Sequence, residues 1–226
     1  MPVSFSPMSK NATPRRYHSP KRRARAEQTR AKIIEAASRL FVAYGYTRTT
    51  IPQIATEAGV AVETVYRSAT RKAGLLEAAV QAALAGGVER AQVPVDQRPA
   101  IRRVIDETDP RRQLAAYAAT QPGVWSRVGP LLRVLDAAAT TEDTLAALRE
   151  QHALQRLDGM RRFASLLGER GHLRPDLSVT RAADILWTVC AQANYDSLVA
   201  SRGWTDGEYR DWLTDALTHA LLPDES

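Results

Sequence analysis

The residue types best able to carry out covalent chemistry are few in this sequence and stand apart from one another. The four histidines, His18, His152, His172 and His219, fall at no spacing that would let them share a metal ion, and His172 sits in a turn, Gly171-His172-Leu173-Arg174-Pro175. The single cysteine, Cys190, has no partner for an internal disulfide and lies in an apolar helical stretch that suits inert packing better than a nucleophile. There is no glycine-rich phosphate loop and no Gly-x-Ser-x-Gly elbow. An enzyme is therefore not expected, nor a metal or cofactor. What does cluster is positive charge. Residues 1–75 hold fourteen Lys and Arg against four acids, a surplus of +10, whereas 76–226 hold seventeen bases and twenty-one acids. A basic head on a mildly acidic body implies a polyanionic partner for the head alone.

The elements that must position that charge are helical. Aromatic content is only 6% while Ala, Leu and Arg abound, so the 44% hydrophobic fraction predicts an all-α core. No run of about 18 apolar residues and no apolar stretch of signal-peptide type occurs, which leads to the expectation of a soluble, cytoplasmic protein. Met1 to Pro20 contains four prolines and few large apolar residues, and with Lys21-Arg22-Arg23-Ala24-Arg25 it makes an arm, residues 1–25, expected to be disordered. Ile33, Ile34, Ala37, Leu40, Phe41 and Tyr44 then mark one face of a helix closed by Gly45. Thr50-Ile51-Pro52-Gln53 is a capping box with proline in the first turn; Ile51, Ile54, Ala55 and Ala58 give a short second helix ended by Gly59. A third short helix follows from about Val62 to Ala69. Helices of eight residues are marginal alone and need the first helix as a third wall, so Gly59-Val60 is the turn of a helix-turn-helix within residues 26–75. An ordinary helical hairpin has the same spacing.

From Thr29 to Leu76 the chain resembles the DNA-binding region of the tetracycline-repressor (TetR) family of bacterial transcriptional regulators. The matching elements are Ile-Ile-Glu-Ala-Ala…Leu-Phe…Gly-Tyr, Thr-Thr-Ile-x-x-Ile-Ala-x-x-Ala-Gly-Val, Thr64-Val65-Tyr66 and Lys72-Ala73-Gly74-Leu75-Leu76. Two departures stand out: Ala61 follows Gly-Val where the family usually has a capping side chain, and Ser68-Ala69-Thr70 replaces an aromatic pair. The resemblance implies a recognition helix in the major groove, with Ala61, Val62, Glu63 and Thr64 toward base edges and Tyr66 and Arg67 on the backbone. Thr50, Gln53 and Lys72 would add phosphate contacts at helix N-termini, and Arg22, Arg23 and Arg25 would follow the backbone or enter the minor groove. Tyr66 suits a core position with its hydroxyl at the surface equally well, and Glu63 suits a first-turn acid without a base partner.

Residues 76–226 complete the expected architecture as a larger helical domain for ligand binding and dimerisation. A helix is predicted from near Arg71-Lys72 toward Gly86-Gly87, and others over 101–106, 110–120, 122–139, 142–170, 179–201 and 206–222, with Pro122 and Pro130 expected to kink or split the helix over 122–139. Apolar stripes in the last two, including Ile185, Val189, Leu198, Trp212, Leu213, Ala216 and Leu217, fit a homodimer interface or the subunit's own core. Tyr117, Trp125, Met160, Phe163, Trp187, Cys190 and Asn194 mix apolar bulk with polar tips and fit a small-molecule cavity or ordinary packing. The expected function is a sequence-specific transcriptional regulator, a repressor released by an effector from an inverted-repeat operator in double-stranded DNA. The rival readings are a nonspecific nucleic-acid binder and a helical protein-interaction adaptor.

Overall fold

The structure is a computed structural model that describes residues 20–69 and 71–224, and among these it holds helices and turns but no strand. Helix α1 (Pro20–Arg48) starts earlier than the sequence suggests, and residues 20–25 are its first turns rather than part of a disordered arm. The reason is local. Pro20 occupies the helix start, where its missing N–H costs nothing, and Arg23 pairs with Glu27 at 2.9 Å one turn on. The Thr29 hydroxyl also donates to the Arg25 carbonyl. The expectation of disorder for residues 1–19 lies outside the described residues. Gly45 breaks α1 with φ 77°, a left-handed angle that glycine alone takes without strain.

Helices α2 (Ile51–Ala58) and α3 (Val62–Ser68) pack across α1 as the head. Their shared core is Ile33, Ile34, Ala37 and Phe41 of α1, Ile51, Ile54 and Ala55 of α2 and Val65 of α3, joined by Leu75 and Leu76 of α4 (Lys72–Ala85). Thr50 and Gln53 form the reciprocal capping box, and Gly59 adopts φ 66° at the turn. Beyond α4, two short 3₁₀ turns lead into α5 (Pro99–Asp106), α6 (Pro110–Ala118), α7 (Gln121–Ala138) and α8 (Asp143–Glu169). Because α4 and α1 both pack on α7, head and body share a continuous core.

Two features of the body differ from expectation. Pro122 falls in the first turn of α7, where it is benign, and α7 runs on through Pro130 without splitting. The single helix expected over 179–201 is broken instead: α9 (Val179–Val189) ends at Cys190, Ala191 is extended, and α10 (Gln192–Tyr195) runs into a π-helical turn over Asp196–Ser201. No proline or glycine marks that break. Tertiary bonds make it, since Gln192 donates to the Gly129 carbonyl (3.2 Å), Arg133 pairs with Asp196 (3.0 Å), and Asn194 caps α9 through the Thr188 and Val189 carbonyls (2.9 and 3.0 Å). Helix α11 (Asp206–Leu221), opened by a Thr205–Glu208 capping box, closes the body.

Candidate functional site

The head presents α3 with one side anchored and the rest free. Val65 is its fully buried residue, and the period of a helix then turns Ala61, Glu63, Tyr66 and Arg67 to solvent while Val62 and Thr64 stay half-buried. Tyr66 is 54% exposed, which decides between its two readings in favour of the surface. Glu63 makes no ion pair among the described residues, and Arg67 holds the Thr64 hydroxyl at 3.2 Å. Ala61 makes no side-chain cap, so the first N–H groups of α3 stay open where a Ser cap would occupy one. At the start of α2, Thr50 and Gln53 are exposed beside α3, with the carboxamide N–H₂ of Gln53 unused by the cap. Arg22, Arg23 and Arg25 are exposed on the first turns of α1, with Arg23 committed to Glu27.

Lys72 is a different case. Its ammonium turns inward, donating to the carbonyls of Tyr46 (2.9 Å) and Thr49 (3.1 Å) and lying 4.1 Å from the Tyr46 ring centre. A phosphate role for this side chain does not fit, because its charge already satisfies carbonyls left open at the end of α1. Burial, and the Glu142 carboxylate beside it, push the Tyr46 phenol up to about 12. Lys72, Tyr46 and Glu142 therefore tie α4, α1 and the body together at one point.

In the body, six of the seven expected pocket residues converge. The Tyr117 ring lies 4.7 Å from that of Phe163 and its hydroxyl donates to Met160 Sδ at 3.5 Å. Trp125 and Trp187 flank the Arg156 guanidinium at 5.9 and 4.1 Å, and Cys190 is fully buried alongside. Burial holds the Tyr117 phenol well above its ordinary range, with Cys190 adding to it, and burial pushes the Cys190 thiol up to about 12. Both stay neutral. Asn194 is the exception: its amide is spent capping α9, so it serves the helix break and not a cavity. Of the expected interface residues, Leu213 and Leu217 are fully buried within the subunit and are withdrawn from a partner. Their one-turn spacing points them inward, while Ile185, Val189, Leu198, Trp212 and Ala216 remain partly exposed.

Residues 33–79, from the middle of α1 through α2 and α3 into the first half of α4, match the family model described as bacterial regulatory proteins, tetR family. Along 205 residues the chain is 28% identical to the HTH-type transcriptional regulator TtgR of Pseudomonas putida, covering 88% of this chain and 83% of that protein. The head of the chain carries the tetR-family sequence pattern. The fold agrees: NalD, the secondary repressor of the MexAB-OprM multidrug efflux pump in Pseudomonas aeruginosa, superposes with a TM-score of 0.66 at 21% identity over 89% of this chain and all of NalD. SmeT in complex with triclosan gives 0.67 at 22% identity, over 87% of this chain and 92% of SmeT.

In the body, the two residues of the interior cluster that the sequence leaves unmarked are Arg156 and Tyr209. Arg156 lies four residues before Met160 and seven before Phe163, on the inward stripe of α8 with Leu148 and His152, and a charge at helical spacing within that stripe was the available signal. Tyr209 is the bulkiest fully buried side chain and packs edge-on to Tyr195 at 5.1 Å. Among the described residues no helix is long and apolar enough to cross a membrane, and no three His, Cys, Asp or Glu side chains are grouped to hold a metal.

Proposed function

We propose that this chain is a regulator of the tetR type, a cytoplasmic homodimeric repressor that binds an inverted-repeat operator and leaves it when the body takes up a small molecule. The observation that carries the DNA-binding reading is α3 itself, held to the head by Val65 and turning Glu63, Tyr66 and Arg67 outward on a basic unit. One seven-residue helix reaches few base pairs, so two copies on related half-sites are required for specificity. In this reading residues 26–75 form the DNA-binding unit and 76–226 the effector-binding and dimerising one. Val62, Glu63 and Thr64 read bases, with Glu63 accepting from cytosine amino groups, while Tyr66, Arg67, Thr50, Gln53 and the arm residues Arg22, Arg23 and Arg25 hold phosphates. The relatives support the release step, because SmeT is found with triclosan and NalD is named a repressor.

Release follows from linkage: a ligand bound better in one dimer geometry shifts the separation of the two recognition helices, and a coupling of about 1–3 kcal/mol changes operator affinity roughly 5- to 150-fold. Selection of bound duplexes from a random library at near-physiological salt tests the reading. An enriched inverted repeat supports it; salt-sensitive binding with no enriched sequence would assign the chain to nonspecific binders.

A further inference from the structure

The interior cluster of the body contains hydrogen-bond donors that complete no hydrogen bond. Arg156 Nε is sealed from solvent without a partner, although Nη2 of the same guanidinium donates to the Trp187 carbonyl. Trp125 Nε1 and Tyr209 Oη are likewise buried and unpartnered, on residues only 6% and 0% exposed. These two face each other, and their proximity restrains the rise of the Tyr209 phenol that burial causes, but neither completes a hydrogen bond of proper geometry. No carboxylate pairs with Arg156 among the described residues. The nearby groups able to supply an anion, Tyr117, Cys190 and Tyr209, are all held neutral, with burial the first cause in each. A guanidinium Nε–H, an indole N–H and a phenol O–H are therefore sealed from solvent in one cluster without a completed hydrogen bond.

Buried donors without acceptors are costly, and Arg156 adds a half-buried charge with no counter-charge, so an anion is the group best suited to complete this cluster. Its shape follows from the surroundings. Trp187 covers a face of the guanidinium, so the free edge of Arg156 lies between aromatic rings, which suits a flat two-oxygen acceptor on a flat ring. We propose that the effector of this protein is a planar aromatic carboxylate whose oxygens are taken by Arg156 with the Trp125 N–H and Tyr209 O–H, its ring lying against Trp187, Tyr117 and Phe163. This deepens the ligand-release reading and rests on it for the consequence, though not for the binding itself.

Titration of the purified full-length protein at pH 7.5 with benzoate, 2-naphthoate and indole-3-acetate, each against its carboxamide, tests the proposal by calorimetry and tryptophan fluorescence. At least one acid is expected to bind 10-fold or more tightly than its amide. Arg156→Gln should bring that acid down to the amide's affinity, Arg156→Lys should restore part of the difference, and Arg161→Gln, an exposed arginine on the same helix, should behave as wild type. Trp125→Phe, which keeps a ring and removes the N–H, gives an independent reading should Arg156→Gln fail to fold, with the acid weakened several-fold and the amide unchanged. Equal affinity of acids and amides, binding of none of the acids, or an acid preference that survives Arg156→Gln would each overturn it. Repeating the titration on the operator complex separates the two readings. Arg156-dependent acid binding that leaves DNA bound would keep this site and reject release, whereas release by neutral compounds alone would reject the site and keep release.

Discussion

At the scale of single residues, the outward side chains of α3 divide into two kinds with separable effects. Glu63 carries an unpaired carboxylate at the start of the helix, and in the proposed complex it reads a base, so Glu63→Gln should change which operator sequence wins in competitive selection, by about 1–3 kcal/mol at that base pair. Arg67→Ala should instead weaken every sequence alike and lower the salt dependence by about one charge. A second residue-scale prediction concerns His152, whose Nε2 is buried without a partner. Burial lowers its pKa, with Glu77 opposing, so the folded value lies below the unfolded one of about 6.5. In the window beneath that value the unfolded chain takes up the proton first; stability is full above it and falls as the pH drops. Thermal denaturation at pH 7.5 and 5.5 should show a smaller acid loss for His152→Gln than for wild type. An equal loss would mean that His152 keeps its proton equilibrium on folding.

At the scale of elements, Lys72 illustrates what spacing reveals and what it hides. Its position at the start of α4 was legible, but the direction of its side chain was not, because the carbonyls that capture it belong to residues more than twenty positions earlier. Lys72→Met, which keeps the stem and removes the charge, should cost about 1.5–3 kcal/mol of stability in denaturant titration. It should leave the salt slope of operator binding unchanged below the unfolding transition; a slope reduced by about one would return Lys72 to the phosphates. The head helices were legible for a related reason. The Thr50–Gln53 box, Gly59 and the Ile33–Phe41 face are local signals that the tertiary structure reinforces. The break after Val189 was not, since Gln192, Asn194 and Asp196 create it through bonds to α7 and to the end of α9, with no breaker residue in the sequence. The same limit hid the donor cluster, where α8 supplies Arg156, α7 supplies Trp125 and α11 supplies Tyr209.

At the scale of the whole molecule, it is the proposed dimer that would link the body to DNA affinity. Leu213 and Leu217 are consumed by the subunit core, which leaves Ile185, Val189, Leu198, Trp212 and Ala216 partly exposed among the expected interface residues. A charge placed among them without a partner would be desolvated on association, so Ile185→Glu and Leu198→Glu should each shift the protein toward monomer in sedimentation velocity. Neither side chain is fully buried, so circular dichroism should remain that of the wild type. The consequence for DNA then has a definite form. A monomer keeps one recognition helix and half the phosphate contacts, so its salt slope should fall to about half and its affinity drop toward the nonspecific range, by about 10³-fold or more. A variant that becomes monomeric yet holds the operator with the full slope would show that two heads meet on DNA without this face, and the coupling of ligand to operator would then have to run within a single chain, through Lys72, Tyr46 and Glu142.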